Sequence, residues 1–175
     1  MAGAPVWRRE RLLVLGWQDA GRAIDVLAEE VRAVGFRPAV IVGIARGGLP
    51  VAVALSNLLG VEDFRILGIP RNSTNSRYSE RADAVLTYVV PERPLEGADV
   101  LVVDDIMGDG GTMALATETV LGLGAGSVRT AVLVRNAGAA GSADHVAIEV
   151  DDWTVFPWEV PPSDGEVAEP IRYSP

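Results

Sequence analysis

The sequence VLVVDDIMGDGGT, residues 100–112, decides the fold of this chain. Its first four residues form an apolar run of the kind that builds buried parallel strands. Asp104 and Asp105 follow the run, and carboxylates at the end of a strand hold sugar hydroxyls or help to place a metal ion. The glycine-rich loop at 108–111 leads into a predicted helix, whose free backbone N–H groups are suited to phosphate. The stretch therefore predicts a site for a sugar phosphate.

A second glycine-rich turn, VGIARGGLP at residues 42–50, follows another predicted strand. Arg46 and the N–H groups of Gly47 and Gly48 would together form an anion cradle. The spacing of these glycines and Gly43 does not match the dinucleotide fingerprint G-x-G-x-x-G. Taken alone, the turn is equally compatible with an ordinary connection between a strand and a helix.

Apolar periodicity predicts alternating helices and strands along the chain. Helices are expected over 18–34, 49–59 and 112–123, and strands over 39–44, 64–69, 84–90, 100–103, 128–134 and 146–150. This alternation predicts an α/β fold with a doubly wound parallel sheet and helices on both faces. Both glycine-rich turns then fall at the carboxyl edge of the sheet, where such folds bind ligands.

The composition of the 175-residue chain excludes several classes of chemistry. It has no Cys and a single His, His145, which excludes thiol catalysis and argues against a His-based triad. All 15 basic residues are Arg, so Schiff-base chemistry on lysine is excluded. The net charge of −9 argues against nucleic acid as a partner, and no apolar run is long enough to cross a membrane. We therefore expect a cytoplasmic protein. We assign no role to His145.

Taken in order, the motifs resemble those of one known family. The stretch VLVVDDIMGDGGTM, residues 100–113, looks like the phosphoribosyl pyrophosphate (PRPP) binding motif of type I phosphoribosyltransferases. Typical members have two acidic residues, an apolar pair, Asp-Thr-Gly, one variable residue and Thr. This chain has Gly108 where the family has Asp, and Asp109 where it has Thr. The family's Asp is the proposed general acid/base, so Asp109 becomes the candidate for that role.

The resemblance implies the type I fold, which is a doubly wound parallel sheet with a small hood subdomain. We expect a single phosphoribosyltransferase-like domain over residues 1–160, with the hood built from the N-terminal residues and residues 135–160. Residues 161–175 are rich in proline and acid, which is typical of a flexible tail. Members of the family are usually dimers or tetramers, so a homodimer or homotetramer is expected.

The resemblance also gives both turns a role toward PRPP. Asp104 and Asp105 would contact the ribose hydroxyls with Mg²⁺ nearby, and Arg46 would stabilise the leaving pyrophosphate. With Asp109, these are the predicted catalytic residues. The pyrophosphate loop comprises Ala45, Gly47 and Gly48, and in the family it often contains a cis peptide, here Ala45–Arg46. The cradle for the 5′-phosphate comprises Gly108, Gly110, Gly111 and Thr112.

The segment DDWTVFPWE, residues 151–159, predicts part of the acceptor side. It resembles the W-x-x-x-PW stretch of the xanthine–guanine and archaeal hypoxanthine branches. The resemblance implies that Trp153 stacks on the base and that Glu159 reaches a second Mg²⁺. Phe156 and Trp158 are interpreted as core aromatics.

Two further regions complete the predicted site. Arg135 stands where purine members have a Lys that donates to the base, and a solvated Arg at a strand end is the equally weighted alternative. The polar loop over 70–83 would close over PRPP, with Ser76, Arg77 and Tyr78 as candidate contacts.

These roles imply transfer of 5-phosphoribose from PRPP to a 6-oxopurine or related heterocyclic base, with Mg²⁺ as cofactor and release of pyrophosphate. The alternative is a non-catalytic sensor of PRPP or nucleotides, because DDIMGDGGTM also resembles the DDFMKAGGT loop of the purine-repressor branch. A structural subunit that keeps the fold without a ligand is a third interpretation.

Overall fold

The computed structural model describes residues 10–70 and 83–173 of the chain. The elements in this part are β1 Leu12–Leu15, α1 Trp17–Ala33, β2 Val40–Ala45, α2 Gly48–Leu59, β3 Asp63–Gly68, β4 Tyr88–Val90, β5 Asp99–Met107, α3 Gly111–Gly122, β6 Ser127–Asn136, β7 His145–Val150, β8 Trp153–Val155 and β9 Ala168–Ile171. None of the described helices is long and apolar enough to cross a membrane.

A six-stranded sheet in the order β4-β3-β2-β5-β6-β7 lies at the centre of the described fold. Neighbouring strands are parallel, except that β4 runs antiparallel to β3. Helices α1 and α2 pack on one face, where Leu27 and Leu55 join Leu101 of β5. Helix α3 contributes Met113 to a second core that includes Val102. The predicted doubly wound α/β fold is therefore confirmed.

The helices begin and end close to their predicted bounds because their signals are local. Helix α1 buries one apolar stripe, which includes Ala20, Leu27 and Val31, at the spacing expected for a helix face. Helix α2 ends at Gly60, whose φ of 70° lies in the left-handed region that glycine adopts without steric cost.

Strand β5 extends beyond its predicted end. The apolar pattern predicts a strand over 100–103, whereas β5 continues to Met107. The neighbouring strand β6 is comparably long and still pairs with β5 at Met107, opposite Arg135. These backbone partners extend the strand past the apolar run at 100–103, since buried N–H and C=O groups need partners. Asp104 and Asp105 consequently lie inside the strand and are only 8% and 7% exposed.

A separate three-stranded parallel sheet has the order β8-β1-β9. Strand β1 pairs Leu12 with Trp153 on one side and Leu15 with Ile171 on the other. Strands β1 and β8 come from the two segments that the family resemblance assigns to the hood.

Strand β9 corrects the expectation of a tail without structure after residue 160. It pairs along β1, and beyond it the backbone N–H of Tyr173 donates to Asp19 Oδ1 at 3.1 Å. The strand is mostly exposed and contains Pro170, so it lacks the apolar alternation that reveals a strand in a sequence. Its order comes from backbone pairing with β1, which composition does not report.

Candidate functional site

The two glycine-rich motifs meet at the carboxyl edge of the central sheet, because β2 and β5 are neighbours. A Cβ atom at Gly47 would overlap the carboxylate of Asp105, lying 2.6 Å from its Cγ atom. A Cβ atom at Gly48 would lie 2.8 Å from the Cα atom of Asp104. Glycine is therefore required at both positions for the turn to approach the aspartates this closely.

The turn after β2 has the backbone that the resemblance implies. The Ala45–Arg46 peptide bond is cis, as predicted for the pyrophosphate loop. Arg46 is exposed at this point, and α2 begins at Gly48 directly after the turn. The start of a helix is a favourable environment for an anion, because its first N–H groups have no partner within the helix.

Asp104 and Asp105 form a buried acidic pair beside this turn. The backbone N–H of Asp105 donates to Asp104 Oδ1 at 3.0 Å, and the indole Nε1–H of Trp158 donates to Asp105 Oδ2 at 3.4 Å. Burial raises the pKa of the Asp105 carboxyl, while hydrogen bonding with the Asp104 side chain and with Trp158 opposes the rise. A cation or a set of hydroxyl donors at this point would favour the ionised pair.

The loop after β5 differs from a simple phosphate cradle. A small cleft is lined by residues of this loop, among them Gly108 and Thr112. Gly110 has a φ of 87°, which favours glycine, and α3 begins at Gly111. The backbone N–H of Gly111 donates to Asp109 Oδ1 at 2.9 Å. A carboxylate of the chain therefore already binds one of the N–H groups that the resemblance assigns to the 5′-phosphate.

Arg135 is held by the loop that follows β6. Its Nη1 atom pairs with Glu149 Oε1 at 2.7 Å, and its Nη2 atom lies 3.3 Å from the carbonyl of Ala139 and 3.2 Å from that of Gly141. Gly141 in turn abuts the loop after β5, since a Cβ atom at Gly110 would lie 3.4 Å from its Cα atom. Arg135 thus holds residues 139–141 next to the candidate cradle. Its contact with a base stays a prediction.

The aromatic residues of the hood segment fall into two groups. Trp153 opens β8, is half-buried and packs against the core that contains α1. Trp158 stacks on Phe156 with ring centroids 5.1 Å apart and meets Trp17 edge-on at 5.9 Å. The sequence pattern indicates a core aromatic at Trp158 and gives no sign of its hydrogen bond to Asp105. Only the tertiary fold brings these two residues together.

The donor atoms suit a Mg²⁺ ion shared with a substrate better than a closed protein site. Mg²⁺ is usually held by one or two carboxylates together with substrate phosphates, and Asp104 and Asp105 supply adjacent carboxylates. No three His, Cys, Asp or Glu side chains within 10–70 and 83–173 are grouped to hold a metal. Glu159 is thus not grouped with the aspartates, and its Oε2 atom accepts the backbone N–H of Phe156 at 3.0 Å. Its part in binding Mg²⁺ stays a prediction.

The three predicted lid contacts, Ser76, Arg77 and Tyr78, lie outside the described residues. All the other predicted site residues are described. Those of the two turns are brought together at one edge of the sheet, whereas Arg135 and Glu159 are engaged by other parts of the chain.

A doubly wound sheet with this glycine turn beside an aspartate pair has the architecture of type I phosphoribosyltransferases. The family model for the phosphoribosyl transferase domain matches residues 14–164. The chain belongs to this family, and the resemblance stated from the motifs is confirmed.

Known proteins similar to the chain agree with this assignment. The purine phosphoribosyltransferase of Pyrococcus horikoshii Ot3 is 31% identical with a TM-score of 0.75, over 89% of this chain and 98% of that one. A hypothetical protein from Neisseria gonorrhoeae, solved with bound ppGpp, is 26% identical with a TM-score of 0.69, over 86% and 90%. The xanthine-guanine-hypoxanthine phosphoribosyltransferase of Helicobacter pylori, 17% identical with a TM-score of 0.66 over 86% and 93%, shows the likeness of fold alone.

A curated relative matches a shorter part of the chain. Ribose-phosphate pyrophosphokinase 2 of Archaeoglobus fulgidus is 41% identical over 78 residues, which are 39% of this chain and 29% of that protein. The chain therefore spans less than a third of the length of this relative.

Proposed function

We propose that the protein transfers 5-phosphoribose from PRPP to a 6-oxopurine or a related heterocyclic base, with release of pyrophosphate. The observation that carries the proposal is the contact between Gly47 and Asp105, which joins an anion-binding turn to an acidic pair at one sheet edge. The anion-binding turn suits the diphosphate of PRPP, and the acidic pair suits its ribose hydroxyls. The likeness to the purine phosphoribosyltransferase of Pyrococcus horikoshii supports a purine as acceptor.

In this proposal each part of the site binds one part of PRPP. The N–H groups of the turn and the Arg46 guanidinium bind the diphosphate, and Asp104 and Asp105 accept hydrogen bonds from the ribose hydroxyls. The loop from Gly108 to Thr112 binds the 5′-phosphate. Mg²⁺ held by the aspartates and the diphosphate would neutralise charge on the leaving group.

The reaction breaks the bond between C1 of the ribose and the diphosphate oxygen, and a ring nitrogen of the base forms the new bond at C1. The nitrogen loses its proton to solvent water, and pyrophosphate leaves with the bonding electrons. The side chains contribute mainly by holding C1 next to the acceptor and by stabilising the departing anion. Gly108 supplies no base, and Asp109 is engaged by the Gly111 N–H. An acceptor with an acidic N–H, which needs little help in losing its proton, therefore suits this site best.

A non-catalytic sensor of PRPP or nucleotides is the second candidate, and one observation favours it. Gly108 removes the family's usual acid, while the Asp104–Asp105 pair that would hold a ribose is kept. Such a protein would bind the ligand without consuming it. The bound ppGpp of the Neisseria gonorrhoeae protein makes a nucleotide a reasonable ligand to test.

Pyrophosphate release separates the two candidates. The protein is incubated with PRPP, Mg²⁺ and each of a panel of purine and pyrimidine bases. Release that depends on one base, with the matching nucleotide formed, is the expected result. Thermal stabilisation by PRPP or ppGpp without release with any base would favour the sensor. A protein that shows no stabilisation by either ligand and no pyrophosphate release would contradict both proposals.

A further inference from the structure

Trp158 connects the hood segment to the acidic pair. Its indole Nε1–H donates to Asp105 Oδ2 at 3.4 Å, although the two residues are 53 positions apart in the chain. From this contact we propose that Trp158 is a positioning residue, which holds the Asp105 carboxylate in the orientation that binds the ribose of PRPP. The inference rests on the proposed function and deepens it.

The Asp105 carboxylate has little freedom on its other side. The backbone of Gly47 lies so close that not even a methyl group fits between them. The neighbouring Asp104 uses its Oδ1 atom to accept the backbone N–H of Asp105. Asp105 also hydrogen-bonds with the Asp104 side chain and with the backbone of Ile106, and the indole of Trp158 is the donor that reaches it from the distant hood segment.

The indole itself is held by aromatic contacts. Trp158 stacks on Phe156 with an interplanar angle of 10°, and Trp17 at the start of α1 meets it edge-on at 61°. Phe156 is buried in the core that contains α1. An aromatic ring so packed loses little further entropy when it donates a hydrogen bond. The orientation of Asp105 thus depends on the segment that follows β8.

The two carboxylate oxygens of Asp105 therefore have different partners. A carboxylate that keeps one oxygen on the indole presents the other oxygen to the ligand. Without the indole N–H, Asp105 would adopt several orientations, and part of the binding free energy would be spent on ordering it. We expect the loss of one such hydrogen bond to weaken PRPP binding about fivefold to tenfold.

The test is a double-mutant cycle on PRPP affinity, measured by calorimetry in the presence of Mg²⁺. Trp158→Phe keeps the stacked ring and removes the N–H, Asp105→Ala removes the acceptor, and the third variant combines them. Trp17→Phe is the matched control, because it also replaces an indole of this cluster by a phenyl ring. Thermal unfolding of each variant verifies that it is folded.

The expected result is that Trp158→Phe weakens PRPP binding in the wild-type background and has little further effect in the Asp105→Ala background. Trp17→Phe should leave the affinity within about twofold. An equal loss in both backgrounds would show that Trp158 acts through general packing and would overturn the inference. So would unchanged affinity in Trp158→Phe. If the wild-type protein itself binds no PRPP, the proposed function fails, and that result differs from either of these.

Discussion

Gly47 and Asp105 face each other across the carboxyl edge of β2 and β5 with no space for a methyl group between them. A Cβ atom at Gly47 would lie 2.6 Å from Cγ of Asp105. This close approach brings the anion-binding turn within reach of the ligand that the aspartates would hold. The contact is tertiary and joins two segments far apart in the chain, so it ties the fold directly to the proposed site.

Gly47→Ala is expected to destabilise the protein by roughly 1–3 kcal/mol through overpacking and to weaken PRPP binding at least tenfold. Gly21→Ala is the matched control, since Gly21 lies inside α1 with nothing within 4 Å of an added Cβ atom. That control should gain up to about 1 kcal/mol, because alanine is the better helix former. Urea unfolding gives the free energy of unfolding, and calorimetry gives the affinity for PRPP. Equal PRPP affinity in the two variants would contradict the assigned contact.

Replacing Asp109 should strengthen the binding of PRPP. The Asp109 carboxylate occupies the Gly111 N–H and would repel a 5′-phosphate there. Asp109→Asn removes the charge, and Asp109→Ala removes the acceptor as well, so both should bind PRPP several-fold more tightly, with the larger gain at low salt. Glu118→Gln controls for net charge, because it removes a negative charge from the exposed side of the nearby helix α3. Weaker binding in both Asp109 variants would instead indicate that this carboxylate contacts the ligand favourably.

Arg135→Ala should release residues 139–141 from the loop after β5. The guanidinium donates to the carbonyls of Ala139 and Gly141 from a largely buried position, so the loss should cost about 1–3 kcal/mol of unfolding free energy. Glu149→Gln tests the ion pair alone, and because Glu149 is 61% exposed it should cost less than about 1 kcal/mol. Urea unfolding compares the two variants. An Arg135→Ala variant as stable as the wild type would show that these carbonyl contacts carry no stability.

Asp144 should make stability depend on pH. Partial burial alone would raise its pKa, but hydrogen bonds from the Arg129 guanidinium and from the backbone N–H and hydroxyl of Thr130 outweigh burial and lower it. A pKa depressed in the folded state adds stability above the unfolded value of about 3.9, and this stability is lost as the pH falls through the folded value.

Asp144→Asn should therefore be less stable than the wild type by about 1 kcal/mol at pH 7. Its deficit should begin to shrink below about pH 3.9 and should disappear as the pH falls through the lowered pKa of the folded state, where the wild-type carboxyl becomes protonated. Urea unfolding at pH 7 and pH 3 gives the two differences. A deficit that stays constant over this range would show that the charge of Asp144 contributes nothing.

The sequence predicts those parts of the fold whose signals are local. Helix α1 is amphipathic and α2 ends at a glycine, so their bounds follow from periodicity and capping. The continuation of β5 through Asp105 depends on pairing with β6, and β9 depends on pairing with β1. Neither the continuation of β5 nor the presence of β9 can be predicted from the residues of the strand alone.

The same distinction applies to the site. The glycines and aspartates of the two turns could be assigned from the order of their motifs, and the structure brings them together. The bond from Trp158 to Asp105 and the engagement of Arg135 by residues 139–141 could not be predicted, because each depends on where a distant segment folds. The role of Asp109 depends on the direction of one side chain within a tight loop, and residue type alone does not determine that direction.

A crystal structure of the protein with PRPP and Mg²⁺ tests the central claim most directly. We expect the diphosphate to bind residues 46–48, the ribose hydroxyls to bind Asp104 and Asp105, and the 5′-phosphate to bind the loop at 108–112. PRPP bound elsewhere on the molecule, or a crystal that takes up none at saturating concentration, would contradict it.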